Sequence, residues 1–274
     1  MSFSDIASLI TAAYDDRKLL QEEKYSNAVH SAIAALDAGQ IRVAEKRDGD
    51  WHVNEWVKKS VLLYFAVAQM REHALPPFEF YDKIPLKKNF AKQGIRVVPP
   101  GVIRYGSFMA PGTVLMPGYV NIGAYVDSGT MVDTHATVGS CAQVGKNVHV
   151  AGAARIGGVL EPPQGKPVII EDNVFLGSQV SVMEGVIVRE EAVLGSGVFL
   201  TGSTKIIDVS QSQAKEFRGE VPARSVVIPG SYMRKFPAGE YPVQCALIVG
   251  QRKPSTDKKT SLNSVLREFG ISSG

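Results

Sequence analysis

Cysteine is scarce in this chain: two residues among 274, Cys141 and Cys245, without CxxC spacing. That excludes a disulfide-stapled scaffold and a thiolate zinc ribbon, and it points to reduced thiols and a cytoplasmic location. Long apolar runs are missing as well. The longest, residues 61–68, falls far short of the roughly 20 residues that span a bilayer. The first residues lack a basic flank followed by an apolar stretch, so no signal peptide is expected. Charge is nearly balanced, at a formal net +3, which argues against nucleic acid or a membrane surface as partner. Histidine is sparse where a metal site would need it. Only His135 and His149 fall in the repetitive part of the chain, fourteen residues apart. A three-histidine centre of the solenoid carbonic anhydrase type is therefore poorly supported, and no metal is expected. There is no Walker loop and no nucleophile elbow.

What is present is a ladder. Every sixth residue from Val102 to Ile156 is apolar, and the series resumes from Ile170 to Ile206. Two places before most rungs stands a small or β-branched residue, such as Ala124, Ala136, Ala154, Val174 or Ala192, and just after many of them stands Gly or Asp. A short period sustained this long signals a solenoid whose repeats cannot bury their apolar faces singly. Three short strands per turn make a triangular coil of about 18 residues, stacked at the inter-strand spacing of about 4.8 Å. The expected architecture is a parallel β-helix over residues 96–208. The ladder breaks between Ile156 and Ile170, where fourteen residues make two repeats plus two; Gly157-Gly158, Pro162-Pro163 and Gly165 suggest a protruding loop over 157–167 beside a binding cleft.

Residues 1–95 lack the period and read as an α-rich N-terminal domain. Ser4-Asp5 is a candidate cap for a helix through Tyr14, and residues 27–36 read as a second helix with Gly39 where a C-cap belongs. Asp48-Gly49-Asp50 suggests a hairpin turn, and residues 57–70 a buried helix ended by Pro76-Pro77. Residues 209–274 form a C-terminal extension: a polar loop over 209–220, strands at 225–228 and 244–249, and a terminal helix over 261–269 capped by Ser261. The basic residues of 205–259, among them Lys205, Arg218, Arg224, Arg234 and Lys253, suit a polyphosphate or a solvated basic face. Cys141, inside the repeat, reads as a small buried residue.

The hexapeptide pattern resembles that of left-handed β-helix acyltransferases. More specific stretches resemble one family among them, the tetrahydrodipicolinate N-succinyltransferases. These are Arg42-Val-Ala-Glu-Lys46, the segment from Tyr81 to Lys87, Arg96-Val-Val-Pro-Pro100, the long run from Val114 to Pro162, and Val221-Pro-Ala-Arg-Ser-Val-Val227. The resemblance spans nearly the whole chain. It implies a left-handed coil, a homotrimer with sites between subunits, succinyl-CoA as co-substrate and no permanently bound cofactor. It also implies a dicarboxylate acceptor whose amine attacks the thioester directly.

On this resemblance Arg96 is the substrate-binding arginine and Asp133 the substrate-binding and catalytic aspartate. Related sequences carry a proposed catalytic glutamate in a segment that here reads Gly177-Ser-Gln-Val-Ser-Val-Met-Glu-Gly185. Ser181 occupies that glutamate's place, so either the glutamate is dispensable or Glu184 or Asp133 covers its role, with His149 a further candidate base. Asp127 occupies the same turn position one repeat before Asp133 and on another face, so the two are not expected to pair. Gly152, Gly177 and Gly195 are expected to let the CoA arm approach the coil edge, and Lys205 and Arg224 to meet its phosphates. The rivals are a sister acyltransferase using acetyl-CoA or another amine, a solenoid lyase, and a purely structural solenoid.

Overall fold

The computed structural model describes residues 1–252; the expected helix over 261–269 and Lys253 lie outside the described residues. From Arg96 onward the chain winds into a left-handed parallel β-helix. Each coil has three two-residue strands, one on each face of a prism. Successive strands of face I begin at Arg96, Val114, Met131, His149, Phe175, Val193 and Val226. Those of face II begin at Val102, Tyr119, Thr137, Arg155, Ser181 and Phe199. Those of face III begin at Phe108, Tyr125, Gln143, Ile169, Ile187 and Glu220. In each pair the first side chain points outward and the second fills the prism. The fill is almost wholly aliphatic, from Ile103 through Val126, Val150 and Leu176 to Val227, each such side chain contributing about 1.5–3 kcal/mol by burial.

The ladder needs three corrections. Its first rungs are one residue early: Ile103, Met109 and Leu115 are buried, whereas Val102, Phe108 and Val114 are the outward partners. The phase is restored by a short corner, because Ile103 pairs with Val120, seventeen positions on, while Val120 pairs with Val138, eighteen positions on. At the other end Ile206 is not a rung. The chain leaves the stack after Leu200, forms an antiparallel hairpin of Ile206–Asp208 with Lys215–Phe217, and re-enters with Val221 on top of Val188 as the last rung of face III. The solenoid thus runs past residue 208, and the polar segment 209–220 contains strand. Finally, Ile156 on face II and Ile170 on face III belong to consecutive faces, so the break is an insertion in one corner. Its loop is pinned: the ammonium of the fully buried Lys58 donates to the carbonyls of Pro162 and Gly165 at 2.9 and 2.8 Å.

The N-terminal domain packs three helices, α1 (Phe3–Asp15), α2 (Glu23–Asp37) and α3 (Glu55–Val67). Helix α1 is capped by Ser2 in a reciprocal capping box with Asp5, two residues earlier than the Ser4-Asp5 signal suggests. Gly39 ends α2 with φ +70, and a Cβ there would lie 2.7 Å from the Phe108 ring, so closeness to the solenoid as well as handedness requires glycine. The expected hairpin forms between Ala44–Arg47 and Asp50–Val53. Pro76-Pro77 does not end a helix. It turns a second hairpin, Arg71–Leu75 with Phe78–Asp82, and α3 stops at Val67. The domain's core takes in Ile122 and Cys141 from the solenoid edge between faces II and III, and its first hairpin reaches face III through Trp51, which donates to Glu171 at 2.8 Å. Among the described residues the edge between faces I and II stays open, whereas the upper part of face I is covered, Val193 and Val226 being buried in a cluster with Phe175, Ile228 and Val249. Two long strands, Ser225–Phe236 and Gly239–Gln251, complete the top, much longer than the strands expected at 225–228 and 244–249. Where lower coils turn from face I to face II, the first of them runs straight on as an arm.

Candidate active site

The open edge between faces I and II is built from repeated four-residue corners. After the inward residue come Asp133-Thr134-His135, Ala151-Gly152-Ala153, Gly177-Ser178-Gln179 and Gly195-Ser196-Gly197, with the third residue at positive φ in each. Asp133 divides its carboxylate between two tasks. One oxygen accepts from the Thr134 N–H at 2.7 Å and from the Thr134 hydroxyl at 3.2 Å, fixing its own turn. The other lies 3.8 Å from Nε2 of His149. That is too far for a direct hydrogen bond, but two acceptors at this spacing can share one ammonium donor. His149 is held by stacking on Phe175, with centroids 5.1 Å apart and planes at 22°.

Sequence reasoning misses the pairing of Asp133 with His149, which it treats as separate candidates. The signal is the 18-residue register: His149 stacks directly on Met131, two residues before Asp133. Asp127 sits at the corner from face III to face I, beside Arg42 and Lys146 in a small interdomain cleft, away from Asp133.

Arg96 opens face I two coils below Met131, a rise of about 10 Å. It is exposed, and its guanidinium makes no ion pair or hydrogen bond among the described residues. The three glycines lie on the same edge but differ in character. Gly177 and Gly195 are buried; a Cβ on Gly177 would sit 2.7 Å from the Ser196 nitrogen. A Cβ on either would crowd the coil above, so their missing side chains serve coil stacking. Gly152 is half-exposed, with room for a Cβ at 3.5 Å from the Thr134 carbonyl, and its N–H has no acceptor among the described residues.

Two expected site residues do not join this edge. Glu184 lies at the corner from face II to face III, where it accepts from the Gly202 N–H at 3.2 Å, so it does not meet Asp133 within one chain. Arg224 lies at the corner from face III to face I. It pairs with Glu191, and it donates to the Arg252 carbonyl at 2.8 Å. Lys205 stands at the top, 2.8 Å from Glu216 and 4.7 Å from the Tyr232 ring centroid. There it lines a cavity of about 570 Å³ together with Arg218, Arg234, Tyr232 and the hydroxyl side chains of Ser203 and Thr204. Cys141 is fully buried, and burial pushes its thiol up to about 12, which suits packing and not nucleophilic attack. Among the described residues no group of three or more His, Cys, Asp or Glu side chains is placed to hold a metal ion, and no helix is long and apolar enough to cross a membrane.

The chain is similar to known proteins along nearly its whole length. Residues 5–67 match the sequence model of the tetrahydrodipicolinate N-succinyltransferase N-terminal region, and residues 167–202 match that of the hexapeptide repeat of succinyl-transferase. A 2,3,4,5-tetrahydropyridine-2,6-dicarboxylate N-succinyltransferase of Ralstonia nicotianae is 52% identical, covering 96% of this chain and 98% of its own. Proteins of the same name from Cupriavidus taiwanensis and Aromatoleum aromaticum are 52% and 50% identical, each covering 96% of this chain and 98% of its own.

Proposed function

This chain belongs to the tetrahydrodipicolinate N-succinyltransferase family, and from that premise we propose its reaction: transfer of a succinyl group from succinyl-CoA to the amine of ring-opened tetrahydrodipicolinate, in diaminopimelate and lysine synthesis. The observation that carries the proposal is the Asp133–His149 pair on an uncovered edge, with Arg96 below it on the same face.

The acceptor's carboxylate is taken by the Arg96 guanidinium, whose fork suits bidentate binding. Its ammonium donates to Asp133 and His149. One of these acceptors removes a proton, and the amine lone pair then attacks the thioester carbon. A C–N bond forms, and the oxyanion is met by the Gly152 N–H. Collapse breaks the C–S bond, and the proton passes to the departing thiolate. No covalent enzyme intermediate is needed.

The CoA arm follows the edge upward past Gly152 and the corners of Ser178 and Ser196. From the coil of Asp133 to the arm is four coil steps, about 19 Å, on the order of an extended phosphopantetheine chain. The phosphates meet Lys205, Arg218 and Arg234 in the upper cavity. Support for a homotrimer with sites between subunits comes from face II, where Arg155 is exposed and Phe199 is 41% exposed among the described residues. Use of a CoA thioester suits a cytoplasmic enzyme.

The test is thiol release with tetrahydrodipicolinate and either succinyl-CoA or acetyl-CoA. Release with succinyl-CoA in clear preference is expected; release with neither donor, or equally with both, sinks the reading.

A further inference from the structure

We infer that Arg155 grips the free carboxylate of the succinyl group and so selects the length of the acyl donor, an inference that rests on the succinyl-transfer reading above. Arg155 is the outward residue of face II in the coil directly above Thr137 and directly below Ser181. It is exposed, and its guanidinium makes no hydrogen bond or ion pair among the described residues. Arg96 at the base of face I is likewise without a partner among the described residues, but the following solenoid arginines are occupied. Arg104 pairs with Asp82 and Asn121, Arg189 with Glu171 and Glu220, and Arg218 with Glu216.

The column explains why Arg155 stays unpaired. From bottom to top it reads Val102, Tyr119, Thr137, Arg155, Ser181, Phe199, with no carboxylate. A residue one coil away stands at about 4.8 Å, so an acidic side chain at 181 would neutralise Arg155. Ser181 is buried, at 2% exposure, and carries no charge. A cation with no counter-ion in its column, beside the open edge, is poised for an anion from outside the chain.

Position then decides which anion. Arg96 approaches the Asp133–His149 pair from two coils below on face I. Arg155 lies on the adjoining face, one coil above Thr137, the strand that follows Asp133 around the corner. The donor comes down from the upper coils. With its thioester carbon at the pair, the two remaining methylenes and the carboxylate are led around the edge onto face II. An acetyl group has nothing to offer Arg155.

The experiment measures kcat and KM for succinyl-CoA and acetyl-CoA in the full-length protein, its Arg155→Ala and Arg155→Lys variants, and Ser181→Glu. For Arg155→Ala, kcat/KM with succinyl-CoA is expected to fall about tenfold to hundredfold, as for a lost charged hydrogen bond, mainly through KM, while acetyl-CoA turnover stays put. Arg155→Lys should recover part of the loss, since charge without the planar fork is an incomplete substitute. Ser181→Glu should act in the same direction as Arg155→Ala. An unchanged donor ratio in Arg155→Ala, or an equal loss with both donors, overturns the inference. Arg155 is exposed, so the alanine variant is expected to fold with an unshifted Tm, and it decides the matter even if the Ser181→Glu variant, altered at a buried position, fails to fold. If the unaltered protein has no preference for succinyl-CoA, it is the succinyl-transfer reading that fails.

Discussion

Face III and the edge between faces I and II are made by the same coil geometry, yet they treat polar groups oppositely. On face III nearly every polar group is answered from within the chain. Arg42 donates to Gln143 at 3.1 Å and lies 3.6 Å over the Tyr125 ring. Buried Glu171 gathers Trp51, Lys46, Arg189 and the Glu190 N–H. On the open edge, Arg96, Arg155 and the Gly152 N–H have no partner among the described residues, and Asp133 gives only one of its oxygens to its own turn. Regular backbone supplies three equivalent surfaces. The proposed chemistry falls on the surface whose hydrogen-bonding capacity the described residues do not consume.

The strongest way to break this contrast is at Asp133. Asp133→Asn keeps the turn-forming oxygen and removes the charge, so kcat/KM should fall by about a hundredfold or more with Tm unchanged. Equal activity would mean that the open edge is not where chemistry occurs.

On the saturated side, Lys58→Ala removes the buried ammonium that ties the Pro162 and Gly165 carbonyls to α3; the Pro162 carbonyl keeps only the Gly165 N–H. It should lower stability by about 1–2 kcal/mol and expose residues 157–167 to limited proteolysis, while donor selectivity is kept. A loop as resistant as before would show that Lys58 does not hold it.

A smaller effect is expected at Glu171. Burial alone would raise its pKa, but the hydrogen bonds from Trp51 and Lys46, the Lys46 charge and the Glu190 N–H outweigh it and hold the carboxyl below its ordinary 4.5. A depressed folded-state pKa means stability that is present above about 4.5 and is lost as pH falls through the folded value. In chemical denaturation followed against pH, Glu171→Gln should be less stable than the parent at neutral pH and converge with it in acid. Parallel curves would remove Glu171 from the docking of the two domains.

The smallest change is expected at Gln179, held at φ +60. Gln179→Gly relieves left-handed strain and should raise stability by about 1 kcal/mol or less, visible as a small rise in Tm.

Much of this architecture was legible because inward positions recur where outward neighbours are polar, as at Val132 beside Asp133. The phase failed only where both members of a strand are apolar: Val102-Ile103, Phe108-Met109 and Val114-Leu115 offer two equally good rungs, and parallel pairing alone decides. The second hairpin was hidden because Pro76-Pro77 suits a helix stop as well as a turn. At the site, Asp133 and Arg96 were visible as residue types in a familiar run. The partnership with His149 was not, since it depends on stacking between coils and not on neighbours in sequence. Glu184 and Arg224 were placed by likeness and by charge; neither consideration says which corner of a prism a residue occupies.

The short corner between Leu115 and Val120 lies on this same edge, one coil beneath Asp133. A turn made with one residue fewer is where the wall changes step: below it the buried partner falls on Ile103, Met109 and Leu115, above it on Val120, Val126 and Val132. The corner above rests on it directly, the His135 N–H donating to the Pro117 carbonyl. A residue inserted between Met116 and Tyr119 would have to bulge outward beneath Asp133, so the length of this one turn sets how much chain stands under that carboxylate.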